Sequence, residues 1–499
     1  MQPPFILAID QGTTSSRALI IDAAGEVAGL GQQSFTQHFP QPGWVEHDPE
    51  EIWTTTVESI GIALAQAGLA VSELAAVGVT NQRETVVVWD RRTGEPLHNA
   101  IVWQDRRTAA ICEGLRAAGH EDAVTAATGL KLDPYFSGTK LTWLLQSQPD
   151  LRRTAEAGEV AAGTIDSWLV WKLTGGQRHV TDFTNASRTL LFNINRGRWD
   201  DALCDLLQVP RAMLPQAQPS RSLFGATSEH VFGARLPITG IAGDQQSALF
   251  GQGGFAPGIA KNTYGTGTFL LANAGVRPVR SEAGLLSSIG AGAGPTGPEY
   301  VLEGSVFVGG ALVQWLRDEL RLVNRSEDIE ALAESVPDNG GVSIVPAFAG
   351  LGAPDWDPHA RGAILGLTRG TTAGHIARAA IEAIALSSAE LLDVMDRELP
   401  ETVGQLRVDG GAARNNLLMQ LQADFAGVPV ERPVNTETTA LGAAYLAGLE
   451  AGVWASTAEV ESLRQVDRVF DPRLSSAERH SRLAQWRRAV ERTLDWAAE

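Results

Sequence analysis

Residues 5–22 read FILAIDQGTTSSRALIID: an apolar run ending in Asp10, a polar turn with one glycine, and a second apolar run. Two apolar segments around a short polar turn fit a β-hairpin. The same turn also fits an anion, because Gly12 lets the backbone fold tightly while Thr13, Thr14 and Ser15 supply hydroxyl and N–H donors. The remainder of the chain has to decide between the two.

The outline recurs further on. IAKNTYGTGTFLL (residues 259–271) is again an apolar run, a turn at Gly265, Thr266 and Gly267, and an apolar run. A third turn, DGGAARNN (409–416), sets Gly410 and Gly411 between a strand pattern and a helix pattern, where glycines permit close approach of a flat ring. Each turn alone is more often structural than functional; together, with the first two alike, they point to phosphate handling. No G-x-x-x-x-G-K-[ST] loop is present, and GQGGFA at Gly251 lacks the preceding strand of a dinucleotide fingerprint. The Gly/Pro-rich piece 251–258 reads instead as a flexible link between two units, 1–252 and 253–499.

Two aspartates end apolar runs, Asp10 in FILAID and Asp244 in PITGIAGD. A carboxylate beside bound phosphate needs a cation, and Mg²⁺ is satisfied by one or two such oxygens plus water. Capping a turn or helix is the plainer use of either residue.

Around these motifs, HDPEEIW predicts a helix start with Asp48 as cap, Pro49 first and Glu51 closing a capping box. LAAVGVT and ETVVVWD read as strands. HIARAAIEAIALSSAELLDVM carries Ile381, Ile384, Leu391, Leu392 and Met395 on a helical stripe with Ser388 in its gap. SSAERHSRLAQWRRAVERTL predicts a helix capped by Ser475 and Glu478, with Leu483, Trp486, Val490 and Leu494 on one face. Alternating strands and helices predict an α/β fold, and 499 residues predict two or three domains.

Composition sets the class. At 44% hydrophobic and 20% charged residues, the chain can bury a substantial core. A net charge of −18 argues against a nucleic-acid partner, which would need a positive footprint. Cys112 and Cys204 stand far apart with no histidine cluster, which suggests neither a disulfide framework nor zinc and suits a reducing compartment. MQPPF lacks the basic start and apolar core of a signal peptide, and no apolar run reaches the roughly 20 residues of a membrane span. The expectation is a cytoplasmic protein.

With these segments assembled, the chain resembles the FGGY carbohydrate kinases, and within them the branch acting on glycerol. IDQGTTSSR resembles the family's first phosphate loop and YGTGTF its second. PGWVEHDP, TNQRET, WQDRR, TNASRTLLFNI and GDQQ follow in the expected order, while YFSGTKLTWLL and GAILGLTRGTTAGHIARAAIE match the general family signatures. The resemblance covers essentially the whole chain. It implies two actin-like, RNase-H-like α/β domains around an interdomain catalytic cleft, with acceptor mainly on the first and nucleotide mainly on the second. The implied reaction moves the γ-phosphate of ATP to the terminal hydroxyl of glycerol, giving sn-glycerol 3-phosphate and ADP.

By position, the resemblance makes Asp244 the carboxylate that takes the hydroxyl proton. It sets Arg83 and Glu84 around two hydroxyls, adds polar contacts from Tyr135 and Gln245, and closes the carbon face with Trp103 and Phe269. For ATP it assigns Thr13, Thr14, Ser15 and Arg17 to the first phosphate loop, and Thr266 and Gly267 to the second. Gly310 and Gln314 of VFVGGALVQW match further nucleotide contacts, Gly411 and Asn415 cradle the adenosine, and Asp10 holds Mg²⁺ through water with Asp244 nearby. The plain alternatives are a surface ion pair for Arg83–Glu84 and core packing for the aromatics.

For regulation, the resemblance reaches SEHVFGARLPITG. In some relatives this segment binds fructose 1,6-bisphosphate; Gly233 and Arg235 match, but SEHVF replaces the glycine-rich part upstream. In others a histidine here is phosphorylated by the sugar phosphotransferase system, and His230 stands at a similar place. The helical surface that such a partner recruits has no clear counterpart in VFDPRLSSAERHSRL. A homodimer or homotetramer is implied by family analogy. Two other readings stay open: a kinase for another small polyol or sugar, longer substrates needing a roomier polar pocket than the Trp103/Phe269 wall leaves, and a non-catalytic actin-fold binding or sensor protein, against which intact Asp10 and Asp244 count.

Overall fold

The structure is a computed structural model that describes residues 3–294 and 297–497; Met1 and Gln2 of the MQPPF opening lie outside the described residues. The opening stretch is a hairpin in which β1 (Phe5–Gln11) pairs antiparallel with β2 (Ser15–Ile21), Asp10 opposite Arg17. Every residue of β1 is buried, because both faces of the strand are covered. Its side chains alternate between two cores, as strand geometry demands. Leu7 and Ile9 join Ile52 and Ile60, while Ile6 and Ala8 join Ala440 and Ala444.

After β3 (Val27–Ser34), helix α1 (Pro49–Ala67) returns the chain to β4 (Leu74–Asn81), parallel to β1. Asp48 caps α1 by accepting from the Glu50 N–H at 2.8 Å. Glu51 does not close a capping box: its Oε1 accepts from Thr36 N and Oγ1 at 3.0 and 2.9 Å, fastening the incoming loop instead. With β5 (Arg221–Ala226) and β6 (Pro237–Gly243), the first sheet has the order β5–β6–β4–β1–β2–β3. Residues 82–220 are an insertion between β4 and β5 and supply three strands of a separate four-stranded sheet, whose edge strand is Glu46–His47 from before α1.

A second hairpin, β7 (Ile259–Tyr264) and β8 (Thr268–Gly275), starts the next sheet. It is completed by β9 (Leu286–Gly294), β10 (Gly297–Val306), β11 (Gln405–Asp409), β12 (Val430–Pro433) and β13 (Val466–Phe470), in the order β13–β12–β11–β7–β8–β10–β9. Strand by strand, the polarities repeat those of the first sheet, with β9 added at the edge. The likeness between two turns is thus part of a duplicated topology, and the fold is a pair of actin-like, RNase-H-like α/β units. Helix α3 (Ala373–Glu398) covers the second sheet. Its Ser388 hydroxyl meets Asn262 Nδ2 at 3.0 Å and Thr268 Oγ1 at 3.3 Å, so the gap in the apolar stripe is where α3 is tied to the second hairpin.

Two helices are exchanged between the halves. Helix α2 (Asp244–Gly251) follows β6 yet packs on the second sheet, Leu249 beside Leu271. Helix α4 (Thr438–Glu450) follows β12 yet packs on the first, Ala440 and Ala444 beside Ile6, Ala8 and Ala76. A Cβ at Gly251 would stand 2.0 Å from the Thr438 carbonyl oxygen, and one at Gly442 1.9 Å from that of Ser247. The glycine expected to begin a flexible link therefore serves a close helix crossing. At the C-terminus, helix Ser476–Val490 starts at the Ser475–Glu478 capping box and buries Trp486, but it stops at Val490, so Leu494 packs from beyond its end. Cys112 and Cys204 are buried free thiols, and among the described residues no helix is long and apolar enough to cross a membrane.

Candidate active site

The first turn is shaped by having its carbonyls tied back. Gly12 N donates to Ser15 O at 2.9 Å, closing the hairpin. The Gly12 carbonyl accepts from Gln11 Nε2 at 2.7 Å and Gln82 Nε2 at 3.1 Å, and the Thr13 carbonyl from Gln37 Nε2 at 3.1 Å. Behind these amides lies His47, with Nε2 2.7 Å from Gln37 Oε1 and Nδ1 3.4 Å from Gln82 Nε2. That pattern places the single ring proton on Nε2. Thr14 remains exposed, with Thr13 and Ser15 half-buried beside it. The Trp103 indole donates to Thr13 Oγ1 at 2.9 Å, joining the turn to an aromatic wall.

His47 is fully buried, and burial, aided by repulsion from His38, pushes its pKa down to about 4. The unfolded chain takes up this proton near pH 6.5, so the unfolded state binds more protons between about 6.5 and 4. Stability from this group is therefore lost as pH falls through that window, by up to about 1.4 kcal/mol per pH unit. In urea melts across the window, His47→Gln should show a visibly shallower acid slope than wild type; equal slopes refute the assignment.

The second turn repeats the device. Gly265 N donates to Gly267 O at 2.9 Å, and the carbonyls of Gly265 and Thr266 are held by the N–H groups of Gly310 and Gly309 at 2.9 and 2.7 Å. Thr266 is left exposed. Gly310 starts helix Gly310–Asp318, on which Gln314 is exposed. Beside this turn, Gly410 has φ +84° and a Cβ there would meet Tyr264 O at 2.5 Å, whereas one at Gly411 would meet open space. Asn415 caps helix Asn416–Ala426 through Oδ1, accepting from Leu418 N at 2.8 Å.

Asp10 lies at the base of the first turn, buried, with Arg17 across the hairpin as its ion-pair partner. Arg17 also binds Glu437, just before α4. Burial pushes the Asp10 carboxyl up, Arg17 opposes this, and Glu437 adds to it. Two carboxylates thus share one guanidinium. Among the described residues no group of three or more His, Cys, Asp or Glu side chains could hold a metal ion.

The densest chemistry lies where the insertion meets the second sheet. β4 ends at Asn81, and the next residues make a turn in which Thr85 N donates to Arg83 O at 2.7 Å around Glu84 at φ +62°. In an extended strand Arg83 and Glu84 would face opposite ways. This strained turn brings both into one buried cluster, which rules out a surface ion pair. Arg83 binds Glu303 of β10 through both terminal nitrogens, at 2.6 and 2.8 Å, and its Nε lies 3.2 Å from Asp244. Arg188 binds Glu84 at 2.6 Å, Glu303 at 3.2 Å and Ser288 Oγ at 2.8 Å. Tyr135 Oη accepts from Arg83 Nη2 at 3.4 Å. Trp103 sits edge-on to Tyr135 and to Phe269, with ring centroids 5.6 and 6.3 Å apart.

Asp244 begins α2, and its side chain is 31% exposed where Arg83, Glu84, Arg188, Glu303 and Lys261 are all within 2% of full burial. Burial pushes its carboxyl up, against Arg83 and Lys261. Glu303 behaves oppositely: burial would raise it, but Arg188 and Arg83 hold it down at about 2. Lys261 is pushed down to about 8 by burial, against the pull of Asp409 and Asp244. Arg83, Arg188 and Lys261 thus balance Glu84, Glu303 and Asp244.

The structure therefore brings Arg83, Glu84, Trp103, Tyr135, Asp244, Gln245 and Phe269 together. Thr13 and Arg17 connect to them and to α4, while Thr266, Gly267 and Gly310 form the second turn. His230 and Arg235 belong to another surface: both are exposed, on either side of Gly233, which ends a short helical turn at φ +80°. Arg188, Lys261 and Glu303 were not singled out from sequence. The available signal was an ionisable residue inside a strand-like run, IAKNTY and YVLEGSVFV, since a buried charge must be paired.

Models of the FGGY family of carbohydrate kinases match twice, the N-terminal domain at residues 5–251 and the C-terminal domain at 260–451. A protein of Trichlorobacter lovleyi named glycerol kinase is 59% identical over 493 residues, 99% of each chain. Another so named, from Symbiobacterium thermophilum, is 56% identical over 499 residues, all of both chains. A crystal structure of Plasmodium falciparum glycerol kinase with ADP aligns at TM-score 0.92 and 39% identity, covering 98% of each chain. Xylulose kinase from Lactobacillus acidophilus, at TM-score 0.86 and 21% identity over 98% of this chain and 96% of that one, shares the fold. The chain belongs to the FGGY family of carbohydrate kinases.

Proposed function

We propose that the protein transfers the γ-phosphoryl group of ATP to a terminal hydroxyl of glycerol, giving sn-glycerol 3-phosphate and ADP. The observation that carries this reading is the partly open Asp244 carboxylate beside the buried Arg83–Glu84 turn, under a wall of Trp103 and Phe269. The relatives named glycerol kinase support the same acceptor. Residues 1–252 supply most acceptor contacts and 253–499 most nucleotide contacts.

Asp244 accepts the hydroxyl proton as the acceptor oxygen bonds to the γ-phosphorus and the bond to ADP breaks. Arg83 and Glu84 offer a donor and an acceptor to neighbouring hydroxyls, Tyr135 and Gln245 add polar contacts, and the aromatic wall meets the carbon face. Thr13, Thr14 and Ser15, with Thr266 and Gly267, present N–H and hydroxyl donors to phosphate, their turn carbonyls being held away. Arg17 takes part from the first hairpin; Gly310, Gln314, Gly411 and Asn415 line the nucleotide's path. Mg²⁺ fits the hard carboxylate oxygens of Asp10 and Asp244; at Asp10 two carboxylates, its own and that of Glu437, share the single guanidinium of Arg17. Held by these residues, the ion would neutralise phosphate charge.

The setting we propose is the cytoplasm, where the free Cys112 and Cys204 stay reduced. A homodimer or homotetramer, and control by fructose 1,6-bisphosphate or the phosphotransferase system around His230, Gly233 and Arg235, belong to the same proposal. ADP release measured across small polyols and pentuloses tests it. Glycerol should raise the rate by orders of magnitude over water alone and exceed the larger acceptors; no acceleration by glycerol sinks the reading.

A further inference from the structure

One side chain of the second half reaches the acceptor contacts of the first. Lys261, in the middle of β7, is fully buried, and its ammonium meets Gln245 Oε1, Thr263 Oγ1 at 2.8 Å and the Phe269 carbonyl at 3.3 Å. An ammonium has three protons, and these contacts use all of them. Lys261 therefore has no donor to spare for a phosphate or an acceptor hydroxyl, and its contribution is made through the groups it holds.

Those groups are informative. An amide held by its oxygen presents its NH₂ to whatever else is near, so Gln245 is fixed as a donor. Its side chain is also among the hydrogen-bonding groups that favour the charged Asp244 carboxylate. The Phe269 carbonyl anchors the backbone that aims its ring at Trp103. Freed from Lys261, the Gln245 amide could turn over and offer an acceptor oxygen instead, while one side of the aromatic wall would lose its tether.

We infer that Lys261 is a positioning residue for the acceptor: it locks the Gln245 amide as a donor to a hydroxyl oxygen and pins Phe269 in the wall. The inference rests on the acceptor-site reading proposed above. Through this residue, the half assigned to the nucleotide sets the fit of the alcohol bound mainly by the other half.

The test uses Lys261→Met, Gln245→Leu and the double variant in the full chain. Each is assayed with whichever acceptor proves fastest in the polyol panel, so that a wrong choice of glycerol and a wrong role for Lys261 give different results. Lys261→Met should raise the acceptor KM about 10- to 100-fold and leave the KM for ATP nearly unchanged. The double variant should be no worse than the worse single variant, because one residue acts through the other. Lys261→Gln, which keeps a short donor, should show the same selective rise and serves where the methionine variant does not fold. Equal losses toward acceptor and ATP, an unaltered acceptor KM, or additive losses in the double variant overturn the inference.

Discussion

Asp244→Asn should lower kcat by about 10²- to 10⁴-fold, the usual worth of a positioned general base, while leaving the KM for ATP nearly unchanged. The substitution keeps the shape of the side chain and an oxygen for the Gln245 N–H, 2.7 Å away. It removes the proton acceptor and one of the negative charges facing Arg83 and Lys261. Asp244 is suited to the task because burial raises its basicity while the neighbouring cations keep it ionised. Its partial exposure leaves an oxygen free to meet an incoming alcohol. Steady-state ADP release with saturating glycerol reads the result directly, and an asparagine variant working at the full rate would remove Asp244 from the mechanism.

Glu303→Ala should be the most damaging change to stability. It would leave Arg83 and Arg188 buried without their shared carboxylate, a loss on the order of 3–5 kcal/mol. Glu303→Gln retains the shape and a hydrogen-bond acceptor but not the charge, so it should fall between wild type and alanine. The pH dependence has a definite sign. Glu303 titrates at about 2 in the fold and near the ordinary glutamate value when unfolded. Its contribution is complete above about pH 4.5 and disappears as pH falls toward 2. Urea melts of wild type and Glu303→Gln should therefore converge across that range; curves that stay parallel, or an alanine variant as stable as wild type, would refute the role. In any folded variant the glycerol KM should rise, since Arg83 would no longer be held on both nitrogens.

The backbone was largely legible because local patterns and tertiary structure agree. Residues 5–22 read as a hairpin from their polarity alone, and the repeated glycine turn disclosed the second hairpin. What local patterns could not show was how each strand is covered. β1 looks like half of an ordinary hairpin, yet α1 and α4 enclose it, the latter more than 400 residues away in sequence. Gly251 read as a hinge because a glycine tolerated for close packing and one used for freedom look the same in a sequence. Glu51 had the right spacing for a capping box, but Thr36, supplied by the preceding loop, offered two donors.

In the site, contiguous motifs carry the residues singled out from sequence, and the structure sets beside them long-range counter-charges that no local pattern marks. TNQRET presents Arg83 and Glu84, but nothing local says that Glu84 has a positive φ or that Glu303 lies opposite. Arg188 stood within a quoted motif without being marked, because its partners Glu84 and Ser288 are 104 and 100 positions distant. Lys261 was hidden by the glycine turn beside it, which drew the reading toward phosphate. Charge pairing across a fold has no period, so it leaves no regular pattern in sequence.

The exchange of α2 and α4 has a consequence for how the molecule is made. The face of the first sheet carrying Ile6, Ala8, Leu19 and Ile21 gains its cover only when residues 438–450 arrive. On a ribosome delivering the chain from its amino terminus, that face stays uncovered until nearly nine-tenths of the chain has been synthesised. The amino-terminal half thus keeps an apolar face open through most of synthesis, and closing that face waits on the last eighth of the chain.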